Sequence, residues 1–212
     1  MTPRMNRMRI AGLCLAIACA TAGAQQPDEP EVLPAIDPAH ALGGTALLEA
    51  LRQGGFVLFL RHADQGTLRQ TPDCATPQLT PAGADEARRL GEALRAARIP
   101  IGAVRSSPLC RALQTARELR LGEPELAPEL QPAPDPAVVA ARMQALGSAP
   151  PAGKNTLLVS HVHGGARREE RLFAQKLEIV AFRPRAGEGA RAVARIQARD
   201  WEALLREAAP AR

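Results

Sequence analysis

The chain has no tyrosine, one tryptophan and four phenylalanines, so aromatics make up 2% of its 212 residues. Proteins that hold single-stranded nucleic acid stack its bases on such rings, and this scarcity argues against that function. Lysine is also rare: of 27 basic residues, two are lysines (Lys154 and Lys176) and 25 are arginines. There is no glycine triplet period, no sustained heptad and only one apolar stretch near membrane length. Collagen-like, coiled-coil and multi-span membrane classes are thereby excluded. What is present is a globular composition, with 46% hydrophobic and 23% charged residues and a formal net charge of +5. One domain is the default at this length, and a chain of this size buries roughly 70% of its unfolded surface.

Much of the positive charge sits at the start. Arg4, Arg7 and Arg9 precede an apolar stretch, Ile10 to Ala20, that is short for a bilayer span. Ala22-Gly23-Ala24 then supplies small residues in the A-x-A pattern of a secretory signal peptide. An uncleaved anchor and lipid attachment at Cys19 are the alternatives. Cleavage after Ala24 removes three basic and no acidic residues, leaving 24 − 22 = +2. The expected location is the periplasm or the cell exterior, with no stable membrane insertion after cleavage. Two of the four cysteines, Cys74 and Cys110, then remain. They form a disulfide or stay as buried thiols, and the sequence leaves both open.

Residues 25–44 read as a flexible lead-in rich in Pro, Asp and Glu, and residues 45–212 as one domain. Thr45 to Arg52 reads as a short helix stopped by Gly54-Gly55. Phe56 to Leu60 is a continuous apolar run that suits a buried parallel strand. Thr80-Pro81 starts a helix, with Thr80 as cap and Pro81 at the first helical position. Further strands are expected at Ile101–Arg105, Thr156–Val159, Leu177–Phe182 and Ala190–Ile196, the last two joined across Gly187-Glu188-Gly189. Helices are expected at Leu109–Leu119, from Asp135-Pro136 to Leu146, and after Asp200, with 121–134 as a Pro-rich loop. The alternation predicts a three-layer α/β/α fold around a mostly parallel sheet. Such sheets bind ligands beyond the carboxyl ends of their strands.

Those ends carry the chemistry. One strand ends in Leu60-Arg61-His62-Ala63, another in Val159-Ser160-His161, and Ser107 to Ala116 joins a strand to a helix and contains Arg111. With Leu79-Thr80-Pro81-Ala82-Gly83, these four segments resemble the ordered motifs of the histidine phosphatase superfamily, in its phosphoglycerate mutase-like branch. The resemblance runs from about Phe56 to His161 and implies a phosphoglycerate mutase-like fold.

It also implies roles. His62 would be the nucleophile, and it must be neutral to attack, so its other ring nitrogen should donate to a backbone carbonyl. Arg61 and Arg111 would grip the phosphoryl oxygens with guanidinium forks. His161 would add a donor to the transferring group. No cofactor or metal is implied, because these groups supply the positive charge. The expected ligand is a phosphorylated small molecule or an envelope phospho-glycan, and no nucleic acid.

The match departs from the family at the acid that protonates the leaving oxygen. The stretch is Pro128-Glu129-Leu130-Gln131-Pro132, and proline stands where the glutamate is expected. Glu129 is the nearest substitute, with Asp135 and Asp64 behind it. Thr67, Gln78 and His163 are candidate substrate contacts. The His161-x-His163 pair could instead ligate a metal, but no third ligand is evident. Arg167, Arg168 and Arg171, among Glu169 and Glu170, read as a solvated face or as a reach toward an anionic substrate. Glu178 reads as structural or functional. The leading reading is a phosphomonoester phosphatase acting through a phosphohistidine. The alternative is a non-catalytic phosphate-binding pseudophosphatase that kept the pocket but lost turnover.

Overall fold

The computed structural model of the chain describes residues 34–67, 74–167 and 170–208. The signal-peptide reading, Cys19, the first part of the lead-in, and Arg168 and Glu169 lie outside the described residues.

The apolar run forms strand β1 (Val57–Arg61). Its side chains alternate between two layers. Leu58 and Leu60 pack with Leu90 and Leu94 of helix α2 (Pro81–Ala96). Val57 and Phe59 face the other way, in a cluster with Ala145 and Leu146 of α4 (Pro136–Gly147). A strand buried on both faces is apolar at every position, which is why no period of two shows in the sequence.

The remaining elements are α1 (Gly44–Gln53), β2 (Ile101–Ser106), α3 (Cys110–Leu119), β3 (Glu125–Leu126), β4 (Asn155–Ser160), β5 (Ile179–Arg185), β6 (Gly189–Ile196) and α5 (Trp201–Glu207). The six strands lie in the order β3-β2-β4-β1-β5-β6. From β3 to β1 all pairings are parallel, whereas β5 and β6 add an antiparallel hairpin beside β1. The fold is thus a mixed α/β sheet with helices on both faces. Its parallel half brings the carboxyl ends of β2, β4 and β1 side by side.

Several boundaries differ from expectation. The stretch 121–134 holds the two-residue edge strand β3 and a 3-10 turn at Pro128–Leu130. Strand β5 begins at Ile179 because Leu177 has φ 56° and the Glu178 N–H closes a turn onto Gln175 O at 3.0 Å. The last residues of the lead-in are attached to the sheet edge, with Leu42 N–H donating to Val193 O at 2.8 Å.

The caps follow the sequence. Thr80 Oγ1 accepts from Gly83 N at 3.0 Å, and Asp135 Oδ1 accepts from Ala137 N at 2.8 Å. Gly91 lets α2 and α3 meet closely, since a Cβ there would collide with Leu119 O. Buried Asn155 ties the opposite end of the sheet, accepting from Phe56 N at 3.1 Å and donating to Leu51 O and Pro100 O at 2.8 and 3.1 Å.

The structure pairs Cys74 with Cys110, across a sequence separation of 36 and a Cα–Cα distance of 4.9 Å. The bond fastens the loop after β1 to the first residue of α3. Closing a loop of this length restricts the unfolded chain and contributes about 2–4 kcal/mol. Replacing both cysteines by serine should lower the unfolding free energy from urea titration by that amount, with a correspondingly lower midpoint. An unchanged midpoint would mean the cross-link contributes nothing to stability.

Candidate active site

Arg61, His62, Arg111 and His161 line one open pocket of ≈ 280 Å³ at the carboxyl ends of the parallel strands, together with Pro132 and Lys176. Arg61 closes β1, and His62 follows it directly. His62 N–H donates to Ser160 O at 2.9 Å, which continues the β1–β4 ladder one residue past the strand. Ala63 N–H donates to Thr115 Oγ1 at 3.0 Å, and that hydroxyl donates to Arg111 O at 2.7 Å. Thr115 therefore couples the histidine loop to the helix carrying Arg111. On the other side, Thr80 N–H donates to Asp64 O at 2.9 Å. Gly83 leaves room for the same stretch, because a Cβ there would strike Asp64 O. The Leu79–Gly83 motif thus works as a clamp on the loop behind His62.

The ring of His62 is oriented at both nitrogens. Nδ1 donates to Ala63 O at 2.8 Å, which leaves Nε2 as the atom with a lone pair. Arg111 Nε–H points at that lone pair from 3.2 Å. Burial, opposed by the Ala63 bond and aided by the charges of Arg111, Arg61 and Lys176, lowers the His62 pKa to about 4. The imidazole is neutral across the physiological range and its free nitrogen lies beside a guanidinium.

His161 stands next to it, with ring centroids 5.1 Å apart. Its Nε2 is 2.9 Å from Ser107 Oγ, and its Nδ1 has no partner among the described residues. Burial first, then the charge of Arg111, brings its pKa to about 2. Arg61 Nη1–H donates to Ala174 O at 3.0 Å. Burial pulls the pKa of both arginines down, and for Arg111 the charge of Arg61 adds to it. Two half-buried guanidiniums face a pocket whose described lining contains no carboxylate, which favours an anion there.

Other candidates lie elsewhere. Glu129 Oε1 accepts from Arg105 Nη2 at 2.7 Å, and Glu129 does not line the pocket. The sequence placed it near in register, but the turn at Pro128–Leu130 directs its carboxylate to β2. Asp135 is occupied as the cap of α4. Asp64 pairs with Lys176, which together with Gly66 N–H lowers its pKa and keeps it ionised. Thr67 is exposed and outside the lining, although Gln65 and Gly66 belong to it. Gln78 is buried under the loop, where its N–H donates to Gln114 Oε1 at 2.7 Å.

His163 turns away from the phosphoryl pocket. Ser160 Oγ–H donates to Leu130 O at 2.7 Å and accepts from His163 Nε2, also at 2.7 Å. The His163 ring lies edge-on to Phe59 and lines a second groove of ≈ 780 Å³ that meets the first at Pro132. Among the described residues, no group of three or more His, Cys, Asp or Glu is placed to hold a metal ion. Arg167 pairs with Glu170 at 2.6 Å, and Arg171 donates to Gly165 O at 3.0 Å.

Lys176, Ser107, Thr115 and Gln114 were given no individual role by sequence reasoning. Ser107 and Thr115 belong to a quoted motif, so that motif was the available signal. Gln114 Nε2–H bridges to Cys74 O and Thr76 O at 2.9 and 2.8 Å, holding the same loop as the disulfide.

Residues 57–133 match the histidine phosphatase superfamily (branch 1). The matched segment contains Arg61, His62 and Arg111 and ends before His161. The fold is similar to that of the protein histidine phosphatase SixA complexed with tungstate, at 23% identity and a TM-score of 0.52, covering 68% of this chain and 98% of that one. A phosphoserine phosphatase of Entamoeba histolytica in complex with 3-phosphoglyceric acid is 16% identical, with a TM-score of 0.45 over 66% of this chain and 95% of that one. YhfR of Bacillus stearothermophilus is 16% identical, with a TM-score of 0.47 over 65% of this chain and 94% of that one. None of the curated proteins matches the sequence.

The buried histidines have a consequence for stability. His62, His161 and His163 have folded pKa values of about 4, 2 and 3 against 6.5 for a free imidazole. Below pH 6.5 the unfolded chain binds protons that the folded one refuses. Stability is therefore complete above that pH and is lost as pH falls toward 4, by about 1.4 kcal/mol per pH unit for each titrating histidine. The melting temperature should drop between pH 7 and pH 4.5, with net proton uptake on unfolding measurable by calorimetry in buffers of different ionisation enthalpy. A melting temperature that stays level over this range would contradict neutral burial.

Proposed function

We propose that the chain is an exported phosphomonoester hydrolase that works through a phosphohistidine on His62. The observation that carries this reading is the His62 ring, with Nδ1–H tied to Ala63 O and the Nε2 lone pair turned to Arg111 in an anion-seeking pocket. A phosphoryl group there would be gripped by the guanidiniums of Arg61 and Arg111, with His161 adding a ring nitrogen to the transferring oxygens. Attack by Nε2 forms the N–P bond as the ester P–O bond breaks. Water then attacks phosphorus, releases inorganic phosphate and restores His62. The arginines neutralise the developing charge, so the reaction needs no metal ion.

The leader pattern and the Cys74–Cys110 bond support a location in the periplasm or outside the cell. The substrate class is a phosphorylated small molecule or an envelope phospho-glycan. SixA, whose fold this chain shares in outline, was solved with tungstate, a phosphate-like oxyanion.

A second reading, a phosphate-binding pseudophosphatase, is favoured by one fact: Glu129 is engaged by Arg105. Turnover of p-nitrophenyl phosphate by the mature chain separates the two. The His62→Ala variant should lose at least about a thousandfold in kcat, as expected when a nucleophile is removed. Labelled phosphate should be trapped on the wild type in acid-labile, base-stable form and be missing from the variant. Equal rates for the two proteins would leave only the binding module. Arg111→Lys should lower kcat/KM by about ten- to a hundredfold, because an ammonium cannot replace the fork at His62 and phosphate.

A further inference from the structure

The reading above leaves the leaving oxygen without a proton source. Glu129 is turned to Arg105, and Asp64 is held as a carboxylate by Lys176, Gly66 and Thr80. Among the described residues of the phosphoryl pocket, Lys176 carries the ammonium, a charged acid that can release a proton and stay stable as a neutral amine. We propose that Lys176 is the proton donor to the leaving oxygen, its ammonium carried to the pocket mouth by a dedicated turn. The proposal rests on the phosphohistidine reading and names the acid that reading lacks.

The turn is over-determined. Leu177 is buried and adopts φ 56°, a conformation that bulky residues avoid. It is held there by donation of its N–H to Arg61 O at 3.1 Å. On the near side, Gln175 N–H donates to Glu178 Oε2 at 2.6 Å. Glu178 is itself only 4% exposed and is gripped by Arg195 through Nε and Nη2 at 2.9 and 2.7 Å. Arg195 Nη2 also donates to Phe173 O at 2.6 Å, bracing the chain that leads into the turn. A strained leucine and a buried ion pair are both costly, and such costs persist where the surroundings need one particular geometry. Here both flank Lys176 and lock its backbone against Arg61, the residue that precedes His62.

The side chain completes the arrangement. Lys176 lines the pocket with Arg61, His62, Arg111 and His161. Asp64, next to the lining residues Gln65 and Gly66 in sequence, accepts from its ammonium. An ammonium has three donors, so one can remain on Asp64 while another reaches a leaving oxygen. Lys176 is roughly half exposed, so a substrate can reach it.

The step balances. His62 Nε2 bonds to phosphorus, the P–O bond breaks, and a proton passes from Lys176 Nζ to the departing oxygen, giving the alcohol. The neutral amine then takes a proton from the attacking water as the N–P bond breaks. Phosphate leaves and the ammonium is restored. Asp64 is the positioning residue for both transfers.

The test uses the full mature chain with Lys176→Met and Lys176→Arg. The arginine variant keeps the charge but gives up no proton at working pH. Substrates are aryl phosphates whose phenols range from strong to weak acids, and kcat/KM is read because it reports on steps through phosphoenzyme formation. On 2,4-dinitrophenyl phosphate, whose leaving group needs no proton, both variants should stay within about tenfold of wild type. On phenyl phosphate both should fall by about a hundredfold or more, the usual contribution of a positioned acid. An equal loss across the series for both variants, with melting temperatures like wild type, would reduce Lys176 to a binding or structural residue and overturn the proposal. Retention of wild-type rates on phenyl phosphate by Lys176→Arg would also overturn it, since charge alone would then suffice. Failure of the phosphohistidine reading looks different: wild type would match His62→Ala on every ester.

Discussion

Two half-buried, like-charged guanidiniums are held at one pocket with a neutral imidazole that contacts one of them, and the rest of the site follows from that constraint. Arg61 and Arg111 repel each other, and burial disfavours both charges. An arrangement of this kind spreads apart unless its backbone is fixed. The structure fixes it several times over. Arg61 N–H reaches Glu178 O, His62 N–H reaches Ser160 O, Ala63 N–H reaches Thr115, and Thr80 holds Asp64. Each bond ties the loop after β1 to a different element. The motif residues that touch no substrate in the proposed reaction therefore have a physical task, which is to hold two cations together until an anion arrives.

Part of this was legible in the sequence, for reasons of scale. A stretch of strand buried on both faces must be apolar throughout, and the first four residues of β1, Val57 to Leu60, show that directly. Thr80-Pro81 and Asp135-Pro136 cap helices through contacts two or three residues away, so a local reading suffices. The gathering of Arg61, His62, Arg111 and His161 could be anticipated because parallel strands bring their carboxyl ends together. The strand pair Glu125–Leu126 could not, since both residues are exposed and only the edge of β2 makes them a strand. Nor could the antiparallel placement of β5 beside β1, which depends on long-range pairing.

Glu129 and Lys176 show why site residues are harder than folds. Glu129 lies near the expected position in sequence, but a 3-10 turn settles which way a carboxylate points, and Arg105 offers it a partner at 2.7 Å. Lys176 lies just before the expected strand at Leu177, and no motif marks it. What sets it apart is a left-handed leucine and a buried glutamate–arginine pair on its flank, and neither has a local sequence signature. The cysteines are an intermediate case. Their number leaves bond and thiols equally open, and only the approach of Cys74 to the start of α3 makes a bond, while Gln114 secures the same loop by other means.

The arginine bias can now be divided by function. Arg88 pairs with Asp85 and Glu118, Arg105 with Glu129, Arg167 with Glu170, Arg185 with Glu188 and Arg195 with Glu178. Apart from the buried Arg195–Glu178 pair, they are spread over helices, turns and strands with at least one partner partly exposed, and pairs of that kind contribute little to stability. They do cancel charge locally, which is why 27 basic residues against 22 acidic ones leave no broad basic face to be inferred from the sum. The pocket is different, because its described lining holds Arg61, Arg111 and Lys176 and no carboxylate. Asp64 accepts from the lysine ammonium, so that cation has an acidic partner at hand. In the proposed reaction the two arginines hold the phosphoryl group, while the lysine is steered by its carboxylate. That division separates holding a phosphoryl group from handling a proton, and it gathers both tasks at one pocket around His62 from segments far apart in the chain.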